Sequence, residues 1–87
     1  MVEVLLPSAL VRLFDGSPRK VMLEATSVYE LVWRLNKYWP GMRDRLCSSD
    51  GAIRQHINVF VDGERASLDT PLRDGAVVMV IPAVSGG

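Results

Sequence analysis

The amino-acid sequence predicts an α+β domain in which one main helix packs on a mixed sheet of about four to five strands. Three observations predict this fold class. Only one segment, around Leu31 and Leu35, has the apolar spacing of an amphipathic helix. Alternating apolar segments lie before and after it, beside turns that contain glycine. The last apolar segment, residues 76–84, is apolar on both faces, which indicates a strand in the middle of the sheet.

The first part of the chain predicts a β-hairpin. Val2, Val4 and Leu6 alternate with their neighbours, and an apolar pattern resumes in "ALVRLF" after Pro7. The stretch "DGSP" (15–18) is a strong turn signal, and alternation returns after it in "RKVMLEA". We therefore expect two strands joined by this turn.

The helix is predicted to begin after Ser27. The stretch "SVYE" matches a capping box, in which the Ser27 hydroxyl and the Glu30 carboxylate each accept a backbone N–H. Pro40 and Gly41 are expected to end the helix after roughly three turns. Its apolar stripe is formed by Val28, Leu31, Val32 and Leu35.

The second half of the chain predicts another hairpin and a final strand. Residues 42–54 are polar and turn-rich, and we expect a short helical turn followed by a flexible loop. "HINVFV" alternates, and the Asp-Gly pair at 62–63 predicts a tight turn with a return strand at 64–66. The order is hairpin, helix, hairpin, strand, with the last and most apolar strand beside the first. This is the β-grasp arrangement.

The composition excludes several classes of function. Ten basic and ten acidic residues cancel, so no broad field recruits nucleic acid or an anionic membrane. The longest apolar run is shorter than the ~20 residues of a membrane helix, and the first residues do not form a signal peptide. A single cysteine excludes an internal disulfide and fits a reducing compartment. We expect a cytoplasmic protein.

No residue pattern in the chain indicates catalysis. His56 has no metal-binding or acid–base partner near it in sequence, so an ordinary surface histidine is expected. Cys47 is expected to be an unreactive thiol in a loop, and Trp33 and Trp39 are interpreted as packing residues. No pair of carboxylates, metal-ligand cluster or phosphate-binding loop is present, so neither a metal nor a bound cofactor is predicted.

The order of elements and the ending of the chain resemble the ubiquitin-like sulfur carriers of the MoaD/ThiS family. The resemblance covers nearly the whole chain and is strongest in "INVFVDGE" (57–64), "LDTPLRDG" (68–75) and "VIPAVSGG" (80–87). The last stretch is the most specific, with an apolar strand, a proline, a small-residue spacer and a terminal diglycine. The long loop before "INVFV" is similar to the MoaD/CysO branch.

The resemblance implies a carrier protein that is not an enzyme. Residues 1–82 would form the β-grasp domain, and residues 83–87 a flexible tail ending in the diglycine. The carboxylate of Gly87 would be adenylated and then converted to a thiocarboxylate that donates sulfur in biosynthesis, for example of molybdopterin, cysteine, a thiamin-like product or a specialised metabolite. The residues that lead to it are Ala83, Val84, Ser85 and Gly86.

The resemblance also implies three kinds of partner. A ThiF/MoeB-like adenylyltransferase would bind the ATP and activate the carboxylate, and a sulfur donor, for example a rhodanese-like protein, would supply the sulfur. The acceptor would be the large subunit of molybdopterin synthase, a CysO-type cysteine synthase or another thiolating enzyme.

The tail suits this chemistry for physical reasons. An α-carboxyl group with a pKa of about 3.3–3.7 is a carboxylate at neutral pH. Glycine has no Cβ, so Gly86 and Gly87 fit a narrow channel in a partner. Residues 83–87 span roughly 17 Å when extended. Pro82 fixes φ where the tail leaves the sheet.

A partner-binding patch is predicted on the sheet face away from the helix. Counting back from the diglycine against the ubiquitin pattern places Met79 and Ile81 on this face, and counting from the Asp-Gly turn adds Phe60; Pro82 follows. Exposed apolar residues of this kind mark interfaces, and methionine adapts to several partners. Two alternatives stay open at this point, namely that loop 42–54 covers the patch or that the register differs by one residue.

Two other functions also stay open from the sequence. A ubiquitin-like protein modifier would use the same activation but join Gly87 to lysines of other proteins. A non-catalytic interaction module would have an inert tail.

Overall fold

The computed structural model describes residues 1–82, and in them a five-stranded mixed sheet carries its helices on one face. The strand order is β2-β1-β5-β3-β4, with β1 and β5 parallel and the other neighbours antiparallel. This arrangement confirms the predicted β-grasp fold. The strands are β1 Val2–Leu5, β2 Lys20–Leu23, β3 Ile57–Val61, β4 Glu64–Arg65 and β5 Val77–Pro82, and the helices are α1 Ser8–Val11, α2 Val28–Tyr38 and α3 Met42–Leu46.

The predicted tail, residues 83–87, lies outside the described residues, so the boundary after residue 82 stays a prediction. In the part of the chain that the structure describes, no helix is long and apolar enough to cross a membrane.

The core lies between α2 and the inner face of the sheet. The four apolar residues of the predicted helix stripe are all buried, which confirms that stripe. They pack in one cluster with alternate residues of the strands, because successive strand side chains point to opposite faces. Full burial of one such aliphatic side chain contributes about 1.5–3 kcal/mol. The strand residues of this cluster are Val2, Val4, Val21, Leu23, Val59, Val78 and Val80.

The prediction of the first hairpin is right for the two strands, which pair with each other. It is wrong for the segment that connects them. β1 and β2 pair antiparallel, from Val2 opposite Leu23 to Leu5 opposite Lys20. The intervening "ALVRLF" does not extend the strands; its first residues form the short helix α1, which begins after Pro7. In this segment Leu10 is buried and Phe14, four residues later, packs against the core, which is a helical spacing.

The start of α2 is capped as predicted, with one difference. The Glu30 N–H donates to Ser27 Oγ at 3.1 Å, while Glu30 Oε1 accepts the N–H of Thr26 (2.9 Å) rather than that of Ser27. The N–H groups of Val28 and Tyr29 donate to carbonyls of the 68–70 segment, at 3.0 and 2.9 Å. The donors of the first helical turn therefore have partners, and the helix is tied to the connector before β5.

A short connection links α2 to α3. The helix α3 corresponds to the helical turn predicted from the sequence. Gly41 has φ +98°, a value that favours glycine. Asn36 Oδ1 accepts the N–H groups of Gly41 and Arg43 at 3.0 and 3.1 Å. This amide oxygen replaces the missing cap of α3 and sets the direction of the second helix, which buries Met42 and Leu46.

The packing adds to one interpretation of a single residue and corrects another. Cys47 lies just after α3 in the predicted loop, and there it is buried and forms an isolated bridge with Ile53. Burial raises the pKa of its thiol, and the nearby Arg43 and Arg54 oppose this rise. Trp33 is not a core residue, because it lies on the outer side of α2.

We expect Ser27→Ala to lower the free energy of unfolding by about 1 kcal/mol, because the Glu30 N–H loses its acceptor. Urea denaturation followed by circular dichroism measures this change. Ser49→Ala, in an exposed turn, is the matched control and should change stability by less than about 0.5 kcal/mol. Equal stability of the two variants would contradict the capping role.

We expect Cys47 in the folded chain to react with iodoacetamide on the order of tenfold more slowly than in the urea-unfolded chain, because the thiol is buried. Its raised pKa also means that the thiolate, and with it the reaction, appears at a higher pH than for free cysteine. Mass spectrometry of the alkylated chain gives the rates. A folded-state rate equal to the unfolded one would be inconsistent with the described burial.

Candidate functional site

The outer face of the sheet carries a row of five residues that crosses all five strands. Met79 in β5 lies opposite Phe60 in β3 and beside Leu5 in β1. Leu5 in turn pairs with Lys20 in β2, and Phe60 with Arg65 in β4. The result is an apolar centre with one cation at each end. We call Lys20, Leu5, Met79, Phe60 and Arg65 the outer row.

The orientation predicted for β5 is confirmed. Met79 is 40% exposed and Ile81 37% exposed, while Val78 and Val80 between them are buried on the helix side. Phe60 is half-buried in the outer row. The alternative register, displaced by one residue, is therefore excluded. The binding role of these residues stays a prediction.

The apolar surface continues from the outer row to the last described residue. Ile81 and Pro82 are both exposed at the end of β5. A groove of about 450 Å³ lies beside them, and Leu5, Pro7 and Lys20 are among its other lining residues. Ala83, Val84, Ser85, Gly86 and Gly87, the predicted tail and thiocarboxylate site, follow directly in the chain but lie outside the described residues.

Loop 42–54 does not cover this surface, so the other sequence alternative is wrong. Gly51, Ala52 and Ile53 line a groove together with Tyr29 of α2, on the helix side of the molecule. Cys47 and Ile53 hold the ends of the loop together in a short bridge. The predicted patch is therefore open among the described residues.

The register of the outer row is fixed at the Asp62-Gly63 turn. Asp62 has φ +50° and forms two hydrogen bonds with Val77, at the start of β5. Its N–H donates to the Val77 carbonyl, and its Oδ1 accepts the Val77 N–H, both at 2.9 Å. Because side chains alternate along a strand, a slip of one residue would turn Met79 into the core.

The outer row has a cationic side chain at each end, and the one in β2 is paired with a carboxylate. Lys20 Nζ lies 3.2 Å from Glu3 Oε1, and both groups are at the edge formed by β1 and β2. Arg65 is exposed at the opposite edge. Rim charges of this kind guide association and orientation more than they add affinity.

Sequence reasoning missed three members of the outer row. Lys20, Leu5 and Arg65 come from strands distant in sequence from β5, and only the strand pairing brings them together. The available signals were the alternation in β1, which turns Leu5 away from Val4, and the alternation in β2, which turns Lys20 away from Val21.

The polar side chains of the described residues include types that bind metal ions or act in catalysis. Among residues 1–82, no group of three or more His, Cys, Asp or Glu side chains could hold a metal ion. His56 is exposed and borders a loop groove with Ser48 and Asp50. The features that stand out are the outer row and its continuation to Pro82.

Comparison with known proteins places the chain in a family. The sequence model of the ThiS family matches residues 4–87. The sulfur carrier protein CysO of Mycobacterium tuberculosis (strain ATCC 25618 / H37Rv) is 29% identical over 92 residues, covering 99% of this chain and 98% of the relative.

Two solved structures show the same fold over the whole length. The Amycolatopsis orientalis BexX/CysO complex matches with a TM-score of 0.87 and 26% identity, covering 100% of both chains. SAMP1 from Haloferax volcanii matches with a TM-score of 0.80 and 30% identity, covering 99% of this chain and 98% of the other. Together with the family match over nearly all residues, these likenesses show that the chain belongs to the ThiS family, on the CysO branch of the MoaD/ThiS sulfur carriers.

Proposed function

We propose that this chain is a non-catalytic sulfur carrier that holds sulfur as a thiocarboxylate on Gly87. The observation that carries the proposal is the open apolar surface that runs from the outer row to Pro82, where the tail leaves the sheet. The family match extends over the tail itself, to residue 87. The folded body binds the partner, and the tail reaches the reacting atoms.

The chemistry needs an activated carboxyl group. The Gly87 carboxylate attacks the α-phosphate of ATP on an adenylyltransferase, and pyrophosphate leaves. The resulting acyl-adenylate has a carbonyl with a good leaving group, so a sulfur nucleophile displaces AMP and leaves a thiocarboxylate. The carrier supplies only the carboxylate and its delivery, which is why we assign it no catalytic residue and no resident cofactor.

The free-energy cost of ordering the tail shows why the folded body has to contribute to binding the partner. Ordering five tail residues in a channel costs about 5–10 kcal/mol of backbone entropy. Burial of roughly 200–400 Å² of apolar surface offsets this cost at about 25 cal/mol per Å². Leu5, Phe60, Met79 and Ile81 supply apolar surface of this kind on the outer face of the described sheet.

We propose three partners in the cytoplasm: a ThiF/MoeB-like adenylyltransferase that holds the ATP, a sulfur donor such as a rhodanese-like protein, and a thiolating acceptor enzyme. The similar Amycolatopsis CysO is seen in a complex with a second protein, BexX, and this supports docking of the body on a partner protein. Candidate acceptors are the large subunit of molybdopterin synthase, a CysO-type cysteine synthase or another enzyme of this class.

The first test is the mass of the intact chain. After incubation with a ThiF/MoeB-like enzyme, ATP and sulfide, we expect a gain equal to the exchange of one oxygen atom for sulfur. A chain that ends at Gly86 should show no ATP-dependent gain yet unfold at the same urea concentration, because the deleted residue lies outside the described sheet. Leu13→Ala, an exposed apolar change away from the sheet, is the control that keeps the reaction. Full activation of the shortened chain would refute the assignment of Gly87.

The second test measures how substitutions in the outer row change the kinetics of activation. We expect Phe60→Ala and Met79→Ala each to raise the KM for the carrier about tenfold with little change in kcat, because each removes about 1–2 kcal/mol of apolar contact with the enzyme. Pyrophosphate release measures both constants, and urea denaturation checks that the variants are folded. Leu13→Ala should keep the KM of the original chain. An unchanged KM in both row variants would show that the enzyme docks elsewhere.

A second candidate function is protein modification. The likeness to SAMP1, a small archaeal modifier protein, favours it. Both functions begin with the same adenylate and differ in the nucleophile, which is the amine of a lysine for a modifier. Isopeptide-linked Gly87 on lysines of other proteins would favour the modifier, and thiocarboxylate alone the carrier. The absence of any ATP-dependent change would favour an interaction module with an inert tail.

A further inference from the structure

A second surface lies on the helix side of the molecule and begins with two exposed aromatic rings. Tyr29 and Trp33 are one helical turn apart on α2 and are 55% and 43% exposed. Their ring centroids are 6.4 Å apart with an interplanar angle of 63°, an edge-to-face contact. Arg43 Cζ lies 4.8 Å from the centroid of the Trp33 ring. We call Tyr29, Trp33 and Arg43 the aromatic ledge.

An apolar groove adjoins the aromatic ledge on one side. It has a volume of about 460 Å³, and Tyr29 forms part of its wall. Ile53 and Leu68 line it and are only half-buried, as is Ala66. The groove therefore offers an aliphatic side chain a partly formed apolar site.

A cationic groove adjoins the aromatic ledge on the other side. It has a volume of about 540 Å³, and Arg45, Arg54 and Asp44 are among its lining residues. The Arg54 Nε donates to the Asp44 carbonyl at 2.8 Å, which holds this side chain in place. With Arg43, three arginines lie around Asp44 at this groove, and Asp69 lines the apolar groove, so the arginines exceed the aspartates by one although the whole chain carries no net charge.

The three parts are linked through shared residues or through neighbours in the chain. Tyr29 belongs to both the aromatic ledge and the apolar groove, and Ile53 and Arg54 are neighbours in the chain that line different grooves. Arg43 and Asp44 join the aromatic ledge to the cationic groove in the same way. The stacking of Arg43 and the hydrogen bond of Arg54 restrict both side chains before any partner binds, so less entropy is lost on binding.

We propose that this helix-side surface binds an acidic segment of a protein partner. An aliphatic side chain of that segment enters the apolar groove, and its carboxylates pair with Arg43, Arg45 and Arg54. The charge of the surface is complementary to such a segment, and the apolar groove beside it supplies the contact that surface ion pairs alone do not give.

A peptide fits the surface better than a nucleic acid does. Arg43 already lies over the Trp33 ring, and Tyr29 packs against that ring by its edge, so a base could stack there only by displacing them.

The position of this surface gives it a role apart from the outer row. α2 packs on the inner face of the sheet, and the outer row lies on the opposite face. The carrier can therefore bind a second protein through α2 while an enzyme holds the outer row and the tail.

A titration with short synthetic peptides on the full chain tests the proposal. The probe has alternating glutamate and aspartate around one central leucine. The comparison peptides replace the acids with their amides, or the leucine with alanine. We expect amide shifts in the nuclear magnetic resonance spectrum at Trp33, Arg43 and Ile53, with about tenfold weaker binding of either comparison peptide.

Variants of the chain provide the second arm of the test. We expect Arg43→Ala and Arg45→Ala each to weaken binding about two- to fivefold, and both together about tenfold. Arg12→Ala removes an exposed cation elsewhere and should have no effect. The mass assay on Gly87 should be unchanged in all four variants, so failure here is distinguishable from failure of the carrier function.

Several results would overturn the proposal. The first is that the acidic peptide does not bind at millimolar concentration. The second is that the amide peptide binds as tightly as the acidic peptide. The third is that the amide shifts are confined to residues of the outer row. Tighter binding of a short oligothymidylate at the same salt concentration would assign the surface to single-stranded nucleic acid instead.

Discussion

The register of β5 between β1 and β3 is the constraint on which the rest of the structure depends. β5 is the central strand, and its side chains alternate between the core and the outer face. A slip of one residue would expose Val78 and Val80, at a cost of about 3–6 kcal/mol against a total stability of about 5–15 kcal/mol for a small domain. The hydrogen bonds between Asp62 and Val77 fix the same register locally. The register of β5 therefore determines both which residues form the core and which form the outer row.

A sheet with helices on one face leaves its other face open, and this explains the outer row. A larger domain would cover Leu5, Phe60 and Met79 with a second layer, whereas this chain keeps them at the surface. Lys20 and Arg65 lie on the two edge strands, where charged side chains disfavour pairing with another sheet. The same two side chains lie at the two ends of the apolar centre.

The zero net charge of the chain conceals an uneven distribution. Arginines gather around α3 and the segment after it, next to exposed aromatic rings of α2. The described residues therefore carry two surfaces of different character, one apolar with charged ends and one aromatic with neighbouring arginines. They lie on opposite sides of the sheet.

The sequence by itself determined the elements whose signals are local. The cap at Ser27 and the turn at Asp62 depend on neighbouring residues. Strand alternation put Met79 and Ile81 on one face; the family resemblance suggested that this face is the outer one, and the structure excluded the alternative register. The ending of the chain, through its resemblance, gave the family. The sequence could not decide between strand and helix after Pro7, because so short an apolar segment fits both periods.

Only the tertiary structure decided what depends on contacts between distant segments. The burial of Cys47, the exposure of Trp33 under Arg43, and the alignment of Lys20 with Arg65 across five strands are of this kind. Each requires residues far apart in the chain to meet at a definite distance. A local pattern fixes the direction of a side chain within its own element, but it carries no information on which other element lies against it.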